Sequence, residues 1–237
     1  MPLRVHCLER IGANVSNTLW LLDLDRTLLK TEELIGRYID AVKHVTGDEA
    51  LVQSMNERWH AVESVGQPYG FTEQLRETMD DYQVTALDHY VASHSTPDDL
   101  LEPGATELLN TLARLNLPHG VMTYGPPDRQ LFKLRVTNLD KLPYIITDTP
   151  IKATVIEGWK DSTGFTTPAT LLGDEEHFEH IALVDDKAVA FQNLPAGMKG
   201  FVYRSGDMPL LKSQAGDTPE GVVILHKLQD LIAFLEN

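Results

Sequence analysis

Residues Thr18–Leu24 read Thr-Leu-Trp-Leu-Leu-Asp-Leu, a short apolar run of the kind that forms a strand covered on both faces. Immediately after it the period changes. Thr31 is placed to cap a helix, with Glu32 and Glu33 in the first turn. Leu34, Ile35, Tyr38, Ile39, Val42 and Val45 then recur at helical spacing until Gly47. A second helix is predicted through Leu51, Val52, Met55, Trp59 and Val62, stopped by Gly66 and the turn-like stretch Gly66-Gln67-Pro68-Tyr69-Gly70. Thr72 is placed to open a third, with Leu75, Met79 and Tyr82 along one side. Residues 31–96 therefore predict a helical insert whose stripes imply a packed unit of its own.

Beyond Pro97 the pattern alternates. Leu108, Leu109, Leu112 and Leu115 mark a helix, "HGVMTYG" a strand ending in a turn, "DRQLFKLRVTN" a helix and "PYIITD" a strand. "HIALVDD", "GFVYR" and "GVVIL" follow as strands, and "HKLQDLIAFLEN" closes as a helix. This rhythm predicts an α/β architecture, a Rossmann-like parallel sheet with helices on both faces. The domains expected are a core of residues 1–30 and 97–237 and an all-helical insert of residues 31–96. Residues 204–220, rich in Gly, Asp, Ser and Pro, read as a loop.

Composition narrows the function. Among 237 residues there is no apolar run near the length of a membrane span, and the first residues lack the apolar core of a signal peptide. A lone Cys7 excludes an internal disulfide and fits a reducing, cytoplasmic setting. A net charge of −15 repels polyphosphate backbones, so neither nucleic acid nor membrane is an expected partner. An anionic substrate has to be drawn in by local charge.

That local charge sits at the strand ends, where ligands of parallel sheets bind. Asp23 and Asp25 follow the first strand and lie two residues apart, so on an extended backbone they point the same way. Thr123 ends the second strand, Asp148 or Lys152 follows the third, and Asp185 and Asp186 end a fourth. Three carboxylate-bearing ends offer hard oxygen ligands suited to Mg²⁺. Phosphoryl transfer is the chemistry that needs this set. A carboxylate attacks phosphorus only when a cation and a lysine neutralise the phosphate, and a second carboxyl then handles the leaving proton.

Those residues resemble the haloacid dehalogenase-like superfamily of hydrolases. Its first motif, Asp-x-Asp-x-Thr, is matched by Asp23-Leu24-Asp25-Arg26-Thr27, its second by Thr123 in "GVMTYG", its third by Lys152, and its fourth by Asp185 and Asp186 in "ALVDD". The resemblance spans residues 18 to 203, and the insert is similar to the helical cap of the C1 class. It implies Asp23 as the nucleophile that becomes an aspartyl phosphate. Asp25 is implied as acid/base, its backbone carbonyl also meeting Mg²⁺. Thr123 and Lys152 are implied to hold the phosphoryl oxygens, and Asp185, joined by Asp186, to complete the metal site. Arg26 stands where the family often has Gly and is placed to assist phosphate binding. Lys152 is followed by Ala where Pro or Gly is commoner, which keeps Lys160 in "EGWKDS" as a rival.

The resulting expectation is a Mg²⁺-dependent phosphatase of a small phosphorylated metabolite, with the insert as a lid and specificity in loops such as Gln67 and Tyr69. A phosphotransferase or mutase on the same fold and a catalytically retired phospho-ligand module stand as alternatives. A dehalogenase is disfavoured because that branch works without metal and lacks the second Asp, and a phosphonate hydrolase because it needs a cap lysine. His177 and His180 have helical i,i+3 spacing that could suit a metal but read as surface residues. Trp20, Trp59 and Trp159 read as packing.

Overall fold

The computed structural model describes residues 17–64, 71–204 and 219–236. After β1 (Thr18–Leu22) the insert supplies α1 (Thr31–Thr46), α2 (Glu49–Ser64), α3 (Phe71–Thr78) and α4 (Asp81–Ser93). Then come α5 (Pro97–Leu100), α6 (Ala105–Arg114), β2 (His119–Tyr124), α7 (Pro127–Val136), β3 (Tyr144–Thr147) and α8 (Lys152–Glu157). The last third holds β4 (Phe165–Thr166), α9 (Ala169–Leu172), β5 (His177–Phe178), β6 (His180–Asp185), β7 (Met198–Tyr203), β8 (Val222–Leu225) and α10 (Leu228–Leu235).

The main sheet has the order β3-β2-β1-β6-β7-β8 with every neighbouring pair parallel. From β1 the chain steps outward to β2 and β3. It then crosses to the other side of β1, at β6, and steps outward again to β7 and β8. The order therefore reverses between β1 and β6, which opens a crevice beyond their carboxyl ends.

Alternation along the strands feeds two apolar layers. Leu19 and Leu21 join Met122, Ile181, Leu183 and Val202 on one face, closed by Ala153 and Ile156 of α8 and by Phe165, Phe178 and Phe191. Trp20 and Leu22 join Val121, Ala182, Val184 and Phe201 on the other, closed by Leu108 and Leu112 of α6 and by Leu228 and Leu231 of α10. Both faces are covered, so the strand runs are apolar throughout. Trp20 is core, stacked on Phe201 with ring centroids 5.8 Å apart, while Trp59 and Trp159 are half-buried at the margins of the two layers. Gly200 of β7 is required by packing: a Cβ there would lie 2.7 Å from Phe191 and 2.9 Å from Val222.

The insert is helical as expected, with three differences. Its predicted third helix is two, α3 and α4, because Asp80 starts a new helix through a capping box in which its carboxylate accepts from the Gln83 N–H and the Gln83 side chain accepts from the Asp80 N–H. Tyr82 consequently lies on α4 and is exposed. Thr31 does not cap α1; Lys30 occupies that position, and the Thr31 hydroxyl serves the site instead. Finally, the buried stripe of α1 (Leu34, Ile35, Tyr38, Ala41, Val42) packs against α4 and α2 but is continuous with the core layer through Leu24, Leu28 and Leu29. Gly47 ends α1 at φ 66°, as its freedom in the left-handed region allows.

The "HFEH" stretch is strand, not helix, so His177 and His180 do not share a helical face. Cys7, Gln67, Tyr69 and most of residues 204–220 lie outside the described residues. Among the described residues no helix is long and apolar enough to cross a membrane.

Candidate active site

The register of β1 against β6 pairs Leu22 with Val184, so the next residues, Asp23 and Asp185, emerge side by side at the crevice. The Asp23 N–H donates to the Val184 carbonyl at 2.8 Å, extending the ladder by one step. Asp23, Asp185 and Asp186 are 5%, 2% and 0% exposed, and each offers a carboxylate oxygen within 4.8 Å of the others. Buried carboxylates at this spacing are costly unless cations offset them.

One cation is Lys152, the first residue of α8 and itself 2% exposed. Its Nζ donates to Asp23 Oδ1 and, at 2.6 Å, to Asp185 Oδ2. Asp185 Oδ1 accepts from the Lys187 N–H at 2.8 Å, which fixes that carboxylate from its other side. Burial pushes the Asp23 carboxyl above the usual carboxylate range; Lys152 opposes the rise, while Asp185, Asp186 and Asp25 add to it. Burial alone would lower the Lys152 ammonium, but Asp185 and Asp23 hold it above its ordinary value. The rival Lys160 is exposed and bridges Phe165 at the β4–β5 ribbon, and Asp148 is exposed. Geometry places Lys152 in the cluster.

Asp25 is engaged differently. Its carboxylate accepts from Lys133 Nζ at 2.8 and 2.7 Å and from the Thr31 hydroxyl at 3.0 Å. Burial would raise its pKa, but Lys133 above all, with Lys187 and Thr31, holds it below the usual range. Of the four acids singled out as metal ligands, three bring their carboxylates together; the fourth, Asp25, is turned toward α7.

Arg26 has φ 59°, a left-handed turn that Gly adopts without cost, and its Nε donates to Glu32 at 2.5 Å. Its guanidinium is thus directed at α1. Thr123 is fully buried and donates to Gln130 Oε1 at 3.1 Å, while Gln130 Nε2 donates to the Tyr124 carbonyl at 3.2 Å. His177 is exposed on the ribbon, 3.0 Å from Thr163, and His180 begins β6 at the end opposite Asp185.

Two lysines escaped sequence reasoning. Lys187 is half-buried and held above its ordinary pKa by Asp186, Asp23, Asp185 and Asp25, although burial opposes this. Its signal was adjacency to the Asp185–Asp186 pair. Lys133 carried a subtler one: Gln130, Lys133 and Thr137 sit at i, i+3 and i+7, a polar stripe on the side of α7 that packs inward. Four carboxyl groups thus meet three ammonium groups; with all of them ionised the balance is a single negative charge, which a divalent cation reverses. Hard oxygen donors and this imbalance together fit Mg²⁺.

No protein-family model matches the sequence, and no curated protein matches it. Solved structures do. A haloacid dehalogenase-like hydrolase from Burkholderia xenovorans is matched with a TM-score of 0.61 at 17% identity, over 91% of this chain and 97% of that one. A HAD-hydrolase from Bacillus subtilis bound to magnesium is matched with a TM-score of 0.56 at 15% identity, over 93% and 99%. This chain has the haloacid dehalogenase-like fold. A dehalogenase in an intermediate complex shares it at a TM-score of 0.55 and 16% identity, over 92% and 97%. Within the haloacid dehalogenase-like fold, the crevice between β1 and β6 is where Asp23, Lys152, Asp185 and Asp186 converge.

Proposed function

We propose that this chain is a Mg²⁺-dependent phosphoric monoester hydrolase acting on a small phosphorylated metabolite through an aspartyl phosphate on Asp23. The observation that carries the reading is the buried Asp23–Lys152–Asp185 cluster with Asp186 beside it. Asp23, Asp185 and Asp186 would hold the ion, with the Asp25 carbonyl, and the Bacillus neighbour bound to magnesium supports that choice. Bound there, Mg²⁺ supplies charge neutralisation for the phosphoryl oxygens.

The chain's own residues account for the rest. An Asp23 oxygen forms a bond to phosphorus as the ester P–O bond breaks; Asp25, ionised beside Lys133 in the free site, takes up the proton of the ester monoanion and passes it to the leaving oxygen. A water then attacks phosphorus, gives its proton to Asp25, and frees Asp23 and inorganic phosphate. Lys152 keeps Asp23 oriented and faces the charge that develops on the phosphoryl group. Thr123, presented at the end of β2, contributes a hydroxyl once it exchanges Gln130 for a phosphoryl oxygen. The insert begins at Thr31, in contact with Asp25, and Asp88 of α4 is bonded to Arg129 of α7 at 2.9 Å. A helical layer so close to the site favours a small, freely diffusing ester over a folded phosphoprotein, and the −15 charge disfavours nucleic acid.

The test is turnover of an aryl phosphate with and without Mg²⁺, together with trapping of labelled enzyme. Activity is expected to vanish with a chelator and return with Mg²⁺, and Asp23→Asn is expected to accumulate no phosphoryl-enzyme. Full turnover in chelator, or a phosphorylated Asp23→Asn protein, would overturn the reading.

A further inference from the structure

Helix α7 reaches the site from the insert side of the sheet and is anchored along its length. Arg129 donates twice to Asp88 of the insert at 2.9 and 3.1 Å, and the Tyr38 hydroxyl donates to the same carboxylate at 2.6 Å. Phe132 packs against the Tyr38 ring, with centroids 5.8 Å apart. Gln130 bonds Thr123, and the Thr137 hydroxyl donates to the Lys133 carbonyl at 2.7 Å. Arg129, Gln130 and Phe132 tie α7 to its surroundings one turn before Lys133, and the Thr137 bond closes the turn after it, so its side chain leaves the helix from a fixed point. From there Nζ meets both oxygens of Asp25, 108 residues earlier in the chain, at 2.8 and 2.7 Å. The Thr31 hydroxyl makes a third bond to that carboxylate.

A carboxylate held at three points has one orientation. Without Lys133, Asp25 would keep the Thr31 bond alone and would lose the ammonium that most offsets its charge beside Asp23, Asp185 and Asp186. We infer that Lys133 is a positioning residue of the reaction: it aims the Asp25 carboxyl at the leaving oxygen and the incoming water without touching the phosphate itself. This rests on the phosphatase reading above. Arg129, Gln130 and Lys133 make α7 the support on which Thr123 and Asp25 are both carried, so the site depends on a helix that holds none of the expected catalytic residues.

The inference is tested by comparing esters of different leaving ability. An aryl phosphate such as p-nitrophenyl phosphate expels its oxygen with little need of a proton, whereas a small alkyl phosphate needs one. Lys133→Met is expected to lower kcat on the alkyl phosphate by about 10-fold or more beyond its effect on the aryl phosphate, as for loss of an acid/base contribution, with KM little changed. Lys133→Arg should recover most of that loss. Adding Lys133→Met to Asp25→Asn should cost almost nothing further, because the two act as one unit. Thermal melts establish that each variant is folded. Should Lys133→Met fail to fold, Lys133→Gln, which keeps an amide donor, is expected to show the same preference at smaller amplitude. An active parent whose Lys133 variants lose equally on both esters, raise KM instead of lowering kcat, or add fully to Asp25→Asn would overturn the inference and leave the phosphatase reading standing. A folded parent inactive on every ester with Mg²⁺ would overturn that reading and this inference with it.

Discussion

Replacing Lys152 by Met keeps the length of the side chain and removes its charge. Its Nζ is the hydrogen-bond donor shared by Asp23 and Asp185, and all three residues are buried. Asp23, Asp185 and Asp186 present oxygens within 4.8 Å of one another. At an effective dielectric near 20, two ionised groups at that spacing repel by about 3.5 kcal/mol. The carboxylates limit this by taking up protons, so removing the cation should cost ~3–5 kcal/mol, the range for a buried charge stripped of its partner. Urea denaturation at pH 9 in chelator measures it. Asp23 is already raised to about 8 with Lys152 present, and losing the ammonium raises the cluster further, so the extra penalty of the variant grows as pH rises through these folded values and fades below them. The difference from the parent should therefore shrink at pH 5. Mg²⁺ at roughly 100 times its Kd should return about 2.7 kcal/mol. Turnover should fall by about 10²–10³-fold or more, since the lost ammonium faces developing charge. Lys160→Met, on the exposed ribbon, should change stability by no more than about 0.5 kcal/mol. A Lys152→Met protein within about 1 kcal/mol of the parent at pH 9 would refute the electrostatic argument.

Asp25→Asn should slow turnover by roughly 10²–10⁴-fold while Asp23→Asn abolishes it, read from steady-state rates on one ester. The Asp88–Arg129 pair is mostly shielded from water, with side chains 23% and 11% exposed, so a double-mutant cycle of Asp88→Asn and Arg129→Met should give a coupling of ~1–3 kcal/mol in denaturation; additivity within about 0.3 kcal/mol would show that the contact does not tie the insert to α7. Gly200→Ala should destabilise by ~1–3 kcal/mol, because its methyl meets Phe191 and Val222, and an unchanged melting temperature would contradict the packing described. Across a panel of substrates, small phosphorylated metabolites should be turned over faster than an intact phosphoprotein, and the reverse ranking would contradict the role given to the insert.

The α/β architecture, the helical insert and the acids at the crevice were legible in the sequence, for a physical reason. Strand ends in a parallel sheet gather at one edge, so polar residues that terminate apolar runs announce where a site lies. Asp23, Thr123, Lys152, Asp185 and Asp186 each sit at such a terminus or just beyond one. Local chemistry also marked the end of α1 at Gly47. It failed where a polar residue had two possible partners: Thr31 has the makings of a helix cap, yet its hydroxyl bonds Asp25 once the chain turns at Arg26. Likewise Asp80 divides a helix that apolar spacing alone runs together, and "HFEH" pairs as strand although its histidines lie three apart. Choosing between Lys152 and Lys160 required the tertiary structure, since only the packing of α8 against the sheet decides which ammonium reaches Asp23. The same holds for Lys133. Its bond to Asp25 joins residues 108 positions apart, a contact that no local pattern encodes.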